Sequence, residues 1–163
     1  MNDTNIRIID LQRTDTEKLL RFYTSLSEAV TFFFRPFPSI TKEVLGKHLT
    51  ETIAGKHISL GIVNMEELLG HGFVMQASEQ FPVFGIGLKE HLHGKGYGRR
   101  LMNAVIERAM IRGAQQLTLT VLKNNIKAFT MYQSFGFKIK SDHTFRKKND
   151  SYLMVRKTKD IKV

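Results

Sequence analysis

A run of alternating glycines constrains the fold of this chain more than any other feature of its sequence. It occupies positions 94, 96 and 98 of His93-Gly94-Lys95-Gly96-Tyr97-Gly98 and lies between a strand-like apolar stretch and an amphipathic helical pattern. Glycines let consecutive backbone N–H groups converge, and a helix N-terminus adds unpaired donors and a positive dipole end. The segment therefore predicts a strand–loop–helix unit that binds phosphate through the backbone.

This spacing differs from the two most familiar phosphate-binding motifs. Gly-x-Gly-x-Gly is not the dinucleotide fingerprint Gly-x-Gly-x-x-Gly, and the predicted strands before it do not alternate with helices. The segment also lacks the Gly-Lys-Ser/Thr ending of a nucleoside-triphosphate loop. Taken alone, it leaves open a second interpretation, in which the glycines only join a strand to a helix.

Elsewhere the apolar period changes repeatedly between two residues and about 3.6 residues, which indicates a mixture of strands and helices. Thr14 is predicted to cap a first helix with Glu17 completing a capping box, and the aromatic, proline-broken run Phe32–Pro38 is predicted to be a loop. A second helix is predicted from about Thr41 to Gly55. The remaining predictions are strands at 6–9, 57–63, 68–76, 81–88, 117–121, 137–141 and 151–157, and helices at 96–112 and 125–134.

Length and composition favour one domain over residues 1–163. The chain has no cysteine, which excludes a cysteine nucleophile and a thiolate metal site and favours a reducing compartment. No apolar run approaches the ~20 residues of a membrane span, and residues 1–12 carry charges where a signal peptide needs an apolar core. We therefore expect a cytoplasmic protein without a membrane partner.

The formal net charge of +10 is concentrated near the C-terminus. Residues 138–163 hold nine lysines and arginines against three aspartates, which accounts for +6 of the total. A basic surface attracts anions, but this segment lacks interleaved aromatics or a recognisable nucleic-acid-reading motif. It is interpreted as a solvated basic hairpin and tail, and nucleic acid is not the favoured partner.

A second motif follows the glycine loop, in the segment that runs from Asn125 to Phe137. Together the two segments resemble the GNAT superfamily of acetyl-CoA-dependent N-acetyltransferases. That family has a loop Arg/Gln-x-x-Gly-x-Gly/Ala, matched here except that His93 takes the first position. It also has Asn-x-x-Ala-x-x-x-Tyr-x-x-x-Gly-Phe, which is met by Asn125, Ala128, Tyr132, Gly136 and Phe137. The resemblance extends over about residues 57–157.

The resemblance implies an α/β fold of the α+β type, with a twisted, mixed, mostly antiparallel central sheet of about 6–7 strands and about four flanking helices. It implies transfer of the acetyl group of acetyl-CoA to a primary amine by direct attack. The expected acceptor is a small molecule, an amino sugar or a peptide or protein N-terminus. A homodimer is also among the expected partners. Two alternatives stay open: a non-catalytic acyl-CoA-binding sensor with the same fold, and a nucleic-acid-binding domain.

The resemblance also implies roles for individual residues. Tyr132 is the expected general acid, since a phenol with a pKa near ~10 can protonate a departing thiolate. The backbone N–H of Leu88 is the expected donor to the oxyanion. The implied cofactor-binding residues are Ile86, Leu88, His93, Gly94, Lys95, Gly96, Tyr97, Gly98, Arg99, Asn125, Phe129 and Tyr132.

The general base is less well defined. Where many relatives carry a glutamate, this chain has Gln80, which cannot act as a base, and the adjacent Glu79 is the candidate that we retain. Alternatives are Glu67, His71, His143 and an ordered water.

The resemblance implies that residues 32–37 and 143–150 shape the acceptor pocket. The aromatic run either lines a pocket for an apolar or sugar-like amine or is simple core. The basic stretch 143–148 favours an anionic acceptor, either a nucleotide-linked amino sugar or an acidic peptide terminus.

Overall fold

The computed structural model describes residues 5–77 and 79–158. Ser78 and the basic tail residues Lys159 and Lys162 therefore lie outside the described residues. The described chain forms seven strands and five α-helices around one sheet, as the predicted fold class requires. In chain order they are β1 Ile6–Asp10, α1 Thr16–Thr24, α2 Glu28–Phe33, α3 Lys42–Ile53, β2 Ile58–Asn64, β3 Glu67–Met75, β4 Val83–Leu88, α4 Tyr97–Ile111, β5 Gln116–Leu122, α5 Ile126–Ser134, β6 Lys138–His143 and β7 Ser151–Lys157.

The strand order is β1-β2-β3-β4-β5-β7-β6, and all neighbouring pairs are antiparallel except β4 and β5. β3 and β4 pair along six positions, whereas β4 and β5 meet only at Val83 and Thr118. Helix α4 makes the crossover between these two parallel strands. Because β5 stays paired with β7 along seven positions, the sheet opens between β4 and β5 beyond Val83.

Each face of the sheet is covered by its own apolar cluster. Helix α4 buries Leu101, Met102 and Val105 on one face, within a cluster that includes residues from all the central strands. Helices α1 and α3 bury Leu19 and Leu45 on the other face. Within the described ranges, no helix is long and apolar enough to cross a membrane.

The predicted start of the first helix is wrong. Thr14 lies exposed in a 3₁₀ turn, and α1 begins at Thr16. The buried Asp15 carboxylate accepts the backbone N–H of Gln12 at 2.8 Å, and the Thr16 hydroxyl donates to the Arg13 carbonyl at 2.7 Å. These contacts give the chain one extra turn before the α-helix, which the Thr14–Glu17 spacing did not reveal.

The prediction of a loop throughout 32–38 is also wrong at its beginning, because Phe32 and Phe33 form the last turn of α2. Ser27 caps this short helix by accepting the Val30 N–H at 3.3 Å. Pro36 restricts only the residue before it, so the helix can continue until Phe33. The other predicted elements are confirmed, with boundaries that differ by at most two residues.

Candidate active site

A cleft of about 1070 Å³ lies where β4 and β5 diverge, and residues from both faces of the sheet line it. We call its two sides the glycine half and the aromatic half. The glycine half comprises the loop at 92–99 and the cleft-facing residues of α5, among them Asn125, Met131 and Tyr132. The aromatic half comprises Val30, Phe33, Phe34, Arg35, Phe73 and Phe145. A cleft of this form lets two ligands meet within the sheet from opposite faces.

The backbone of β4 forms the floor between the two halves. Lys89 N–H donates to the Leu69 carbonyl at 2.9 Å, which makes this position a hydrogen-bonded pair with β3. Because the bonding alternates along an antiparallel pair, the backbone groups of Ile86 and Leu88 point away from β3 and toward the gap. His93 Nε2 lies 3.1 Å from the Leu88 carbonyl, so its N–H donates there. The Leu88 N–H faces the gap.

The glycine loop has the backbone geometry that the sequence predicts. Gly94 and Gly96 have φ of 74° and 85°, and Gly96 is the N-cap of α4. A Cβ at either position would meet nothing within 4 Å, so backbone conformation rather than space requires glycine. The N–H groups of Gly98 and Arg99 belong to the first helical turn, where no intrahelical acceptor exists. An anion placed there would meet these donors and the positive end of a 15-residue helix.

Helix α5 forms the opposite wall of the glycine half. Its N-cap is Asn125, whose side-chain oxygen accepts the Ala128 N–H at 3.4 Å. Gly98 lies close to this wall, since a Cβ there would be in ordinary van der Waals contact, 3.6 Å from the Met131 sulfur and 3.4 Å from Leu88 Cδ1. The two sequence motifs therefore meet across the cleft.

Tyr132 lies where the two halves meet. Its ring is 9% exposed and packs between Phe84 and Phe137, with centroid distances of 6.3 and 6.0 Å. Burial raises the pKa of the Tyr132 phenol to about 12. The hydroxyl is therefore protonated at neutral pH and able to donate a proton within the cleft.

The aromatic half depends on two glycines in β4 that the sequence analysis did not single out. A Cβ on Gly87 would overlap the ring of Phe34, and one on Gly85 would overlap the ring of Phe73. Both rings thus lie directly against the strand backbone. Alternate glycines inside a strand mark such a close approach, and this signal is present in Gly85-Ile86-Gly87.

Arg146 joins the two segments that border the aromatic half. Its guanidinium lies 4.4 Å from the ring centroid of Phe32 and 5.2 Å from that of Phe145, and it donates to the Phe32 carbonyl at 2.6 Å. These contacts hold the β6–β7 loop against the end of α2. The aromatic run is therefore partly pocket wall and partly core, since Phe34 and Phe37 also pack on the cluster beneath α1 and α3.

The β6–β7 loop is shaped around one carboxylate. Asp150 accepts the backbone N–H groups of Phe145, Arg146 and Lys147 at 2.8, 3.0 and 3.1 Å. Desolvation acts to raise the pKa of Asp150, but these hydrogen bonds outweigh it and hold that pKa well below its usual range. The charge of Asp150 is thus directed into the loop backbone.

Most of the predicted cofactor-binding residues line the cleft, and three do not. Tyr97 is buried beneath the loop, Phe129 packs on Tyr152 at 5.4 Å, and Lys95 is exposed. The predicted residues that do line the cleft are Ile86, Leu88, His93, Gly94, Gly96, Gly98, Arg99, Asn125 and Tyr132.

None of the candidate bases lines the cleft. Glu79 is exposed in the turn before β4, and Glu67 forms an ion pair with Lys89. His71 belongs to β3 and is fully buried against Tyr23, and His143 is exposed at the end of β6. Among the carboxylates of the described residues, Glu90 alone lines the cleft, beside the glycine loop.

Comparison with known proteins links this arrangement to one family. The family model described as "Acetyltransferase (GNAT) family" matches residues 21–137. The chain is 29% identical over 109 residues to mycothiol acetyltransferase of Corynebacterium aurimucosum, which covers 64% of this chain and 31% of that protein. It is 31% identical over 70 residues to spermine/spermidine N(1)-acetyltransferase of Bacillus subtilis, which covers 42% of this chain and 44% of that protein. The chain thus spans less than half the length of these two relatives.

Solved structures share the fold over nearly the whole chain. The PaiA N-acetyltransferase of Thermoplasma acidophilum, in complex with coenzyme A, matches with a TM-score of 0.78 and 18% identity and covers 93% of this chain and 98% of that one. The ribosomal-protein-S5-alanine acetyltransferase of Vibrio fischeri matches at 0.81 and 14%, with 98% and 97% covered. A dodecameric spermidine N-acetyltransferase of Vibrio cholerae matches at 0.72 and 16%, with 96% and 95% covered.

Proposed function

Because the chain belongs to the acetyltransferase (GNAT) family, we propose that it is an acetyl-CoA-dependent N-acetyltransferase that acts on a primary amine. One observation carries the proposal: the cleft crosses the sheet between β4 and β5 and joins a phosphate-binding loop to the buried phenol of Tyr132. This arrangement holds a phosphorylated acyl donor on one face and leaves the other face open to an acceptor.

The cleft residues fit acetyl-CoA. The pyrophosphate would be held by backbone N–H groups of the glycine loop and by Arg99, whose guanidinium is anchored on Ser134 at 2.9 Å and over the Phe135 ring at 4.7 Å. The pantetheine amides would pair with the backbone groups of Ile86 and Leu88 that face the gap, in the manner of an added strand. Bound in this way, acetyl-CoA supplies an activated acetyl group as a thioester.

We propose direct attack of a neutral amine on the acetyl carbon. A C–N bond forms, the C–S bond breaks, and no covalent bond to the protein is needed, which agrees with a chain that contains no cysteine. The Leu88 N–H stabilises the developing oxyanion, and Tyr132 gives its proton to the departing thiolate. The proton of the amine leaves to water, because none of the candidate bases lines the cleft and the lining carboxylate among the described residues, Glu90, belongs to the segment before the glycine loop.

The proposed partners are an amine acceptor and a second copy of the chain. β6 is one of the two edge strands of the sheet and its six residues are all exposed, which leaves a backbone edge for another chain to pair with. Light scattering across a range of protein concentrations would measure the oligomeric state. The proposed location is the cytoplasm, which agrees with the absence of cysteine.

Thermal unfolding with and without millimolar acetyl-CoA tests the cofactor site, with CoA and ATP as controls. A ligand at 100 times its Kd stabilises a protein by about 2.7 kcal/mol, which raises the Tm of a domain of this size by several degrees. We expect a shift with acetyl-CoA and CoA and none with ATP. No shift with either CoA compound would contradict the proposal.

Turnover separates the enzyme from the acyl-CoA-binding sensor. Release of free thiol from acetyl-CoA is followed while amines of different class are added in turn. Thiol release that depends on an amine supports the transferase and excludes the sensor, whereas a thermal shift without turnover of any amine favours the sensor.

A further inference from the structure

The charges that line the cleft are unequally distributed between its two halves. Among the described lining residues, Arg99 and Lys127 are cations of the glycine half, and Glu90 directly precedes its loop. Arg35 is the charged residue of the aromatic half. The half that would receive the acceptor therefore offers a cation and, within the described ranges, no carboxylate.

Arg35 is positioned to bind an anion. It follows α2, and its Nε donates to the Thr31 carbonyl at 3.0 Å, which fixes the start of the guanidinium against the end of the helix. Its side chain is exposed and forms no ion pair with a carboxylate of the described residues. The two terminal nitrogens are left to pair with a ligand carboxylate.

The neighbouring loop reinforces this positive charge. Arg146, Lys147 and Lys148 lie in sequence on the β6–β7 loop, which Arg146 itself holds against α2. The carboxylate of the same loop, Asp150, is turned into the backbone N–H groups of residues 145–147. The entrance to the aromatic half is therefore basic and attracts anionic acceptors.

The same charge pattern bears on the protonation of the amine. Attack requires a neutral amine, and an alkyl amine of the lysine type has a pKa near ~10.4, whereas a peptide α-amino group has one near ~8. An α-amino group is thus already partly neutral near pH 7 without a carboxylate base. The positive charge of Arg35 disfavours the ammonium form further.

The walls of the aromatic half are apolar and partly open to solvent. Phe33 is 43% exposed and Phe145 is 48% exposed, and both line the cleft beside the ring of Phe34. Exposed rings at a cleft are suited to burying an apolar group of a ligand.

We propose, on the basis of the proposed acetyl transfer, that the acceptor is the α-amino end of a peptide with an apolar first residue and acidic residues after it. Phe33 and Phe145 receive the first side chain, and Arg35 pairs with a following carboxylate. The same features disfavour polyamines, whose several ammonium groups would find a cation and no carboxylate in this half of the cleft.

The experiment compares three acceptors at saturating acetyl-CoA: a peptide that begins Phe-Asp-Asp, a peptide that begins Phe-Lys-Lys, and spermidine. We expect kcat/KM to be at least about tenfold higher for the acidic peptide than for the other two. The substitution Arg35→Gln should lower kcat/KM for the acidic peptide by about tenfold and thereby reduce its advantage over the basic peptide, while the KM for acetyl-CoA stays unchanged. Arg13→Gln is the matched control, because Arg13 is exposed in the turn before α1 and does not line the cleft.

Preference for spermidine or the basic peptide overturns the inference, and so does an equal effect of Arg35→Gln on both peptides. Binding of the same peptides, labelled at the C-terminus, to the CoA-loaded protein is measured by fluorescence anisotropy. Tighter binding of the acidic peptide supports the selectivity even where turnover is absent, and equal or reversed binding overturns it. Failure of the proposed transfer is recognised separately, as absence of thermal stabilisation by acetyl-CoA or of amine-dependent thiol release.

Discussion

The two halves of the cleft are built in different ways. The glycine half comes from two short segments, 93–99 and 125–132, and offers mainly backbone groups. The aromatic half is assembled from α2 and its following loop, from β3 and from the β6–β7 loop, and it offers side chains. A ligand bound by backbone groups depends on local conformation, whereas a ligand bound by rings and a guanidinium depends on how distant segments pack. We therefore expect binding of the donor to depend on the local conformation of the loop, and binding of the acceptor to depend on how distant segments pack.

The supports beneath the two halves differ as well. The glycine half is backed by the apolar cluster around α4. The aromatic half rests on buried polar groups, in which His71 lies 2.7 Å from the Tyr23 hydroxyl and 2.7 Å from the Ser59 hydroxyl, and Ser59 lies 3.2 Å from His48. Tyr23 in turn stacks on Phe34 at 5.8 Å. Substitutions and pH can therefore disturb one half without the other.

The largest effect is expected where the halves meet. Tyr132→Phe should lower kcat by about 100-fold or more, because the proton donor to the thiolate is lost while the ring packing is kept. The affinity for acetyl-CoA should stay unchanged. Steady-state kinetics together with thermal shift measures both. Tyr152→Phe is the control, since Tyr152 does not line the cleft. A wild-type kcat in Tyr132→Phe would show that water, and not Tyr132, protonates the thiolate.

Disruption of the glycine half should act on the donor alone. Gly96→Val forces a branched residue to φ 85° at the N-cap of α4, and a strain of about 1–3 kcal/mol there should weaken acetyl-CoA binding by roughly 10- to 100-fold. Calorimetric titration with acetyl-CoA measures the loss. Gly55→Val carries the same strain at φ 86° and does not line the cleft. Equal loss of affinity in both variants would show that stability rather than the loop controls binding.

Disruption of the aromatic half should act on the acceptor. In Gly87→Ala the new methyl group displaces the Phe34 ring, which should cost about 1–3 kcal/mol of stability and raise the acceptor KM several-fold. Gly46→Ala is the control, because its Cβ would meet only ordinary contacts at 3.6 Å inside α3. Urea unfolding and acceptor kinetics test this pair. An unchanged acceptor KM in Gly87→Ala would show that Phe34 does not contribute to acceptor binding.

The smallest effect at neutral pH is that of the buried histidines under the aromatic half, which act only when the pH is lowered. Burial, with a smaller contribution from His57, lowers the pKa of His48 to about 4, and burial lowers the pKa of His71 well below its usual value. Both are neutral when folded but bind protons below about pH 6.5 when unfolded. Their stabilisation is therefore complete above about pH 6.5, and that of His48 is lost as the pH falls towards 4, at roughly 1 kcal/mol per pH unit.

Urea unfolding at a series of pH values through this window measures the slope of stability against pH. His48→Asn should reduce that slope, and His143→Asn should leave it unchanged, since His143 is exposed on β6. An unchanged slope in His48→Asn would show that groups other than His48 cause the acid sensitivity.

Prediction from the sequence succeeded where a feature depends on neighbouring residues. The glycine segment predicted a loop that leads from a strand into a helix, which β4, the loop and α4 confirm, and Asn125 was correctly placed at the start of α5. The placement of individual side chains depends on distant contacts. Phe129 lies within the second motif and its ring packs on Tyr152 of β7, and Lys95 does not line the cleft although both its neighbours do.

The position of the candidate base also depends on tertiary structure. Glu79 is the neighbour of Gln80, which stands where many relatives carry a glutamate, and it is exposed in the turn before β4 and does not line the cleft. The alternate glycines of β4 indicate that another group lies close to the strand backbone. Nothing in the sequence indicated that this group would be the rings of Phe34 and Phe73.

The sequence by itself determined the alternation of strands and helices, the glycine loop between β4 and α4, and the family, because each rests on periodicity or on residues close together in the chain. Only the tertiary structure decided that β4 and β5 separate, that Tyr132 is buried between Phe84 and Phe137, and that Arg35 and Phe145 border one pocket. Those outcomes depend on how separate elements of the chain pack and desolvate one another, which no local pattern encodes.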